Sequence, residues 1–251
     1  MVKPSPWPVV GSLAGGTLLG GVVIYMHGEH IWLMAIGFVL VLATMYLWWR
    51  DVIREAAEGE HTAAVTRGLR FGMILFISSE VMFFVAFFWA FFNSSLTHQE
   101  YLGNAWPPEG FEAIPAWQLP FLNTLILLTS GATVTWAHHA IKHGQRMNGI
   151  YGLALTIILG LVFIGIQGFE YSHAPFGFRD GIFPSTFFMA TGFHGFHVTV
   201  GVLFLSVCLY RQIRGHFKPN QHLGFEAAAW YWHFVDVVWL FLFIWIYWWG
   251  G

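Results

Sequence analysis

Seven stretches of this chain are apolar over 18 to 26 residues each: 9–26, 31–49, 71–92, 119–140, 149–169, 185–210 and 227–249. At about 1.5 Å per residue a helix of roughly 17 residues or more crosses a hydrocarbon core about 30 Å thick. Lipid offers no partner to a backbone N–H or C=O, so a crossing segment must bond within itself as a helix or close into a barrel. Continuous apolar runs without alternation point to helices. The pattern therefore predicts an all-α, polytopic membrane protein with seven transmembrane helices. Composition agrees: 57% of residues are hydrophobic and 10% charged, against about 25% charged in soluble domains. Aromatic residues at the ends of the runs, among them Trp7, Tyr25, Trp32, Trp117 and Trp248, fit an interfacial belt.

Orientation follows from the 11 Lys and Arg. With the N-terminus inside, Lys3, Arg50, Arg54, Arg67, Arg70, Lys142, Arg146, Arg211, Arg214 and Lys218 all fall inside, and Arg179 alone falls outside. The positive-inside rule thus places the N-terminus in and the C-terminus out. The first apolar run lacks an A-x-A-like site and is followed by others, so no cleavable signal is expected. The one cysteine, Cys208, excludes an intrachain disulfide, a CxxC redox site and a cysteine zinc site.

Between the second and third runs lies RDVIREAAEGEHTAAVTRGLR. It reads as a helix extension, a turn at Gly59 and a new helix start near Thr62. This sets a hinge between a two-helix unit, 1–60, and a five-helix unit, 61–251. In the first run Gly11, Gly15, Gly16, Gly20 and Gly21 stand at a small-xxx-small spacing that admits another backbone. The outside loop, residues 98–117, has no Lys or Arg; its prolines keep it irregular and its aromatics suggest packing on a neighbour.

Glu80 is the one charge in the run 71–92, nine residues in and roughly 13 Å deep. A carboxylate at that depth is expensive and raises a functional hypothesis; Ser78 and Ser79 beside it are the alternative, as plain structural partners. Thirteen histidines call for a metal or haem test. His138 and His139 are adjacent and face different ways, an interfacial polar cluster. His194 and His197 share one helix face and suit either metal ligation or helix-to-helix hydrogen bonding. His233 and Asp236 also share a face and read as a structural pair, imidazole to buried carboxylate. Glu170, near the outer surface, and Glu226, at a helix N-terminus where negative charge is favoured, need no catalytic role. No phosphate-cradling loop, nucleophile triad or nucleotide fingerprint appears. The residues define no catalytic group and no metal site.

Several stretches carry a family resemblance: RFGMILFISSEVMFFVAFFWAFF, WAHHA, ATGFHGFHV and the terminal GFEAAAWYWHFVDVVWLFLFIWIYWWG, together with WWRDVIRE, WPPEG and LPFLNTLILLTSG. They resemble subunit III of the haem–copper cytochrome c oxidases over nearly the whole chain. The resemblance implies a core subunit with no haem or copper, those cofactors residing in partner subunits I and II. It implies packing on subunit I, contacts with subunit II and small subunits, and engagement of cytochrome c by the whole complex; no nucleic acid is involved. It also implies a V-shaped cleft filled with phospholipid between the two helical bundles. Glu80 matches a buried carboxylate that reacts with a carbodiimide reagent, and Trp49, Glu55, His61 and Arg211 match positions that hold lipid head groups. The implied role is to stabilise subunit I and to support sustained turnover, proton uptake and oxygen access. The implied setting is a bacterial inner membrane with the N-terminus cytoplasmic, or alternatively the mitochondrial inner membrane. The short N-terminus, the short loop after His98 and the brief connection MHGEH depart from the family pattern.

Two other readings compete with this one. Subunit III of a quinol oxidase often lacks the first two spans, which are present here. A stand-alone transporter or proton channel using Glu80 would need a polar path along several helices, whereas the charges here are isolated.

Overall fold

The computed structural model describes residues 4–28, 30–97 and 106–251. Lys3, the Glu29 of MHGEH and residues 98–105 of the outside loop lie outside the described residues. The seven runs are seven helices, each long and apolar enough to cross a membrane: α1 Trp7–Met26, α2 Trp32–Ala57, α3 Ala63–Thr97, α4 Leu119–Lys142, α5 Arg146–Ser172, α6 Ile182–Ile213 and α7 Leu223–Leu242. The last helix continues as a π-helical segment, Phe243–Trp248. No strand occurs among the described residues.

Helix α3 is longer than its apolar core. At its N-terminal end the helix runs on through Arg67 and Arg70, whose long side chains can carry their charged heads away from an apolar surface. At its C-terminal end Ser94 and Ser95 return their hydroxyl protons to the carbonyls of Ala90 and Phe92, so the polar residues continue the helix instead of breaking it. The linker before it folds as its sequence suggests: α2 runs on through Arg50 and Arg54, and α3 opens after Thr62, whose hydroxyl accepts from the Val65 N–H at 3.4 Å.

The chain divides into two compact units, Met1–Leu69 and Arg70–Gly251. In the first, α1 packs on α2 with backbones nearly touching. A Cβ on Gly21 would stand 2.4 Å from the Met34 nitrogen, and one on Gly37 2.4 Å from Leu18 Cα. Of the α1 glycines, Gly21 admits the neighbouring backbone as the spacing suggests, while Gly15, Gly16 and Gly20 meet nothing within 4 Å. The close approach uses one glycine from each helix, because antiparallel helices meet at crossing points and not along a stripe. Trp7 Nε1 donates to Asp51 at 2.8 Å and ties the N-terminal end of α1 to the C-terminal part of α2.

The second unit is centred on Trp232, fully buried. Its indole N–H donates to Ser130 Oγ on α4 at 2.9 Å. Gly160 on α5 and Gly201 on α6 leave the space its ring occupies. A second indole repeats the device two turns on, Trp239 donating to Thr124 at 2.9 Å. Helix α3 is attached differently, by rings: Phe83 and Phe87 pack on Phe193 at 5.1 and 4.9 Å, and Phe92 on Trp245 at 5.3 Å, within the range of edge-on and offset aromatic pairs. The described part of the loop between α3 and α4 packs on helices of this same chain, with Trp106 5.4 Å from both Phe91 and Phe183.

Candidate functional site

Glu80 sits near the middle of α3 and His197 near the middle of α6. The two helices place His197 Nε2 2.7 Å from Glu80 Oε2. The imidazole is 6% exposed and the carboxyl 23%. Around the ring stand Phe84 at 4.9 Å, Phe83 at 5.8 Å and Phe234 at 6.1 Å. His197 Nδ1 lies 2.6 Å from the Phe193 carbonyl. A carbonyl only accepts, so Nδ1 carries a hydrogen. A carboxylate facing the bare lone pair of Nε2 at 2.7 Å would be repulsive, so one proton lies on that line. Whichever atom holds it, the pair has no net charge.

The serines are not the partners of Glu80. Ser78 donates to Ile74 O at 2.8 Å and Ser79 to Phe76 O at 2.7 Å, the usual local satisfaction of a hydroxyl inside a helix. Of the two options for His194 and His197, the structure displays helix-to-helix hydrogen bonding. The fully buried His194 donates through Nε2 to the Val235 carbonyl of α7 at 3.1 Å, while His197 turns to α3. Among the described residues no three His, Cys, Asp or Glu side chains converge as metal ligands.

His233 and Asp236 do meet, with Nδ1 3.5 Å from Oδ2, but the pair is not closed on itself. His233 Nε2 also lies 3.2 Å from Thr135 Oγ1 on α4. His138 packs against His222 and Phe225, and His139 stacks on His143, so the adjacent histidines do face apart. Glu226, in the first turn of α7, accepts from Arg70 of α3 at 2.9 and 3.2 Å.

One polar cluster escapes sequence reasoning. Glu170 is 3% exposed; Tyr247 donates to its Oε1 at 2.6 Å and Gln167 at 3.0 Å. Tyr247 belongs to the π-helical turn, and the only hint in the sequence is that FIWIYW mixes β-branched and aromatic residues without helical periodicity.

The four residues matched to lipid head groups fall in separate units. Trp49 and Glu55 lie in the C-terminal part of α2 and His61 in the linker after it, Trp49 exposed and the others half-buried. Arg211 lies in the last turn of α6, its guanidinium carbon 4.5 Å from the Phe217 ring centre. No carboxylate pairs with it among the described residues, and its Nε is buried without a partner.

Seven helices long and apolar enough to cross a membrane, with Glu80 and His197 joined to each other within the fold, define an integral membrane protein. Comparison with known proteins makes this specific. The family profile for cytochrome c oxidase subunit III matches residues 1–251. A protein named cytochrome c oxidase subunit 3 from Arabidopsis thaliana is 59% identical over 255 residues, covering 100% of this chain and 96% of the relative. One of the same name from Gadus morhua is 57% identical over 252 residues, covering 100% and 97%, and one from Marchantia polymorpha is 59% identical over 254, covering 100% and 96%. The chain belongs to the cytochrome c oxidase subunit III family and is a subunit of that oxidase complex.

Proposed function

We propose that this chain is the supporting subunit of an aerobic respiratory oxidase that reduces oxygen to water and pumps protons. It stabilises subunit I, its main contact, and sustains turnover, proton uptake and oxygen access. Haem and copper belong to subunits I and II, and cytochrome c engages the complex as a whole, with subunit II and small subunits as further neighbours. The observation that carries this reading is the Glu80–His197 pair: the deepest acid of α3 is neutralised inside the bundle, not presented to a substrate. Trp49, Glu55, His61 and Arg211 hold phospholipid head groups. Arg211 supports this, since it is a cation at the C-terminal end of α6 with no carboxylate paired to it among the described residues. The membrane is the bacterial inner membrane or the mitochondrial inner membrane.

The test is to strip this chain from the purified oxidase with detergent and then restore it. The haem spectrum and initial rate should persist without it while the active lifetime shortens, and restoration should recover the lifetime. Loss of haem absorbance together with the chain would overturn the assignment.

A further inference from the structure

Gln167 and Glu170 near the C-terminal end of α5 and Tyr247 in the π-helical segment are all buried. Tyr247 Oη donates to Glu170 Oε1 at 2.6 Å. Gln167 Nε2 reaches that same oxygen at 3.0 Å and Tyr247 Oη at 3.2 Å. The phenol's one hydrogen and the amide's two are thereby committed. The neighbouring hydroxyls are committed as well: Tyr171 donates to Thr191 at 2.7 Å, and Thr191 to the Phe187 carbonyl at 2.7 Å. The rings of Phe187 and Trp239 close over Tyr247 at 5.3 and 5.8 Å.

Two oxygens are left over. Glu170 Oε2 and Gln167 Oε1 are buried, and no protein donor reaches either. An amide oxygen can only accept, whereas a carboxyl oxygen becomes a donor when it takes up a proton. The two oxygens belong to the carboxyl and the amide that already share the 3.0 Å bond. A hydrogen on Oε2 aimed at Gln167 Oε1 therefore closes a two-bond acid–amide pair and leaves nothing unsatisfied.

Nothing balances an ionised Glu170. Among the described residues no Lys, Arg or His forms an ion pair with it, and the titratable side chains beside it are Tyr171 and Tyr247. An unpaired carboxylate in such surroundings costs far more than a neutral acid. A water bridging the two oxygens would supply hydrogens but leave that charge in place.

We infer that Glu170 is a buried proton-binding site, a neutral acid that donates from Oε2 to Gln167 Oε1 and accepts at Oε1 from Tyr247 and Gln167. The bound proton locks the π-helical end of the last helix to α5. Without it, two bare oxygens and an unbalanced charge would sit at that joint. Unlike Glu80, which shares its hydrogen with an imidazole, this acid holds its proton against an amide.

In the purified oxidase, the infrared difference between the native complex and one carrying Glu170→Gln should show loss of a carboxylic-acid C=O band and no loss of a carboxylate band. Gln167→Leu should keep the acid band but move it to higher frequency, since the carbonyl loses a donor and the O–H its acceptor. Glu170→Gln puts an N–H where the O–H stood, so this variant should be retained through detergent purification near the native level. Glu170→Leu strands the Tyr247 hydroxyl and should lower retention by about threefold to tenfold. Loss of a carboxylate band instead would overturn the inference in favour of an ionised acid bridged by water. An acid band indifferent to Gln167→Leu would overturn the pairing, and equal losses for Glu170→Gln and Glu170→Leu would overturn the lock.

Discussion

Substituting Gly201 by Ala is expected to damage the α5–α6–α7 packing out of proportion to its one added carbon. The new Cβ would stand 2.8 Å from Trp232 Cε3 and 2.9 Å from Cζ3, where carbon pairs are most favourable at about 3.5–4.0 Å. The ring has no retreat. Its N–H is held by Ser130 at 2.9 Å, and on the α5 side a Cβ at Gly160 would already be 2.7 Å from Cη2. Overpacking against a fixed core group costs about 1–3 kcal/mol. For a chain of this size that lowers an apparent Tm by roughly 2–12 °C. Gly195→Ala on the same helix is the internal control: nothing lies within 4 Å of its would-be Cβ, and Ala exceeds Gly in helix propensity by about 1 kcal/mol. The assay is thermal loss of the purified oxidase's bound chain, followed for both variants and for Gly201→Ala combined with Trp232→Phe. The smaller ring should restore part of the loss, a coupling expected only of residues in contact. If Gly201→Ala melts together with Gly195→Ala, the account of Trp232 as an immovable centre is wrong.

Glu80→Gln should leave the initial rate of oxygen reduction nearly native, since the amide fills the same space beside His197 and neither form places net charge there; immediate loss of all turnover would contradict this. Tyr247→Phe removes a donor from buried Glu170 and should destabilise the chain by about 1–3 kcal/mol, read as a lowered apparent Tm; an unchanged melt would show the contact to be idle. Arg211→Ala should reduce copurifying phospholipid and shorten active lifetime, and lipid mass spectrometry giving native phospholipid content would count against the head-group role.

The seven helices are legible in the sequence because lipid demands one thing of a crossing segment, and the runs supply it. Their ends are less so: α3 outlasts its apolar core because serines and arginines at the rim can still continue a helix. Glu80 stands out as a lone acid, yet its partner lies 117 residues further on, and nearby serines looked as suitable until their hydroxyls proved committed to the backbone. The α1 glycines follow the same logic: spacing marks where another backbone could come close, while the crossing geometry selects Gly21 and pairs it with Gly37. Nothing local announces the π-helical turn that carries Tyr247 to Glu170, since it depends on what α5 offers opposite.

The neutrality of the Glu80–His197 pair has an electrical consequence. An isolated charge crossing the membrane exchanges about 2.3 kcal/mol with the field per 100 mV. A closed pair of zero net charge feels no such pull as a body. The proton between its two atoms can shift by no more than the 2.7 Å that separates them, under a tenth of a core about 30 Å thick. Even aligned with the field, that shift is worth only about 0.2 kcal/mol per 100 mV. The acid at the centre of α3 is thus almost blind to the voltage that an oxidase generates across its own membrane.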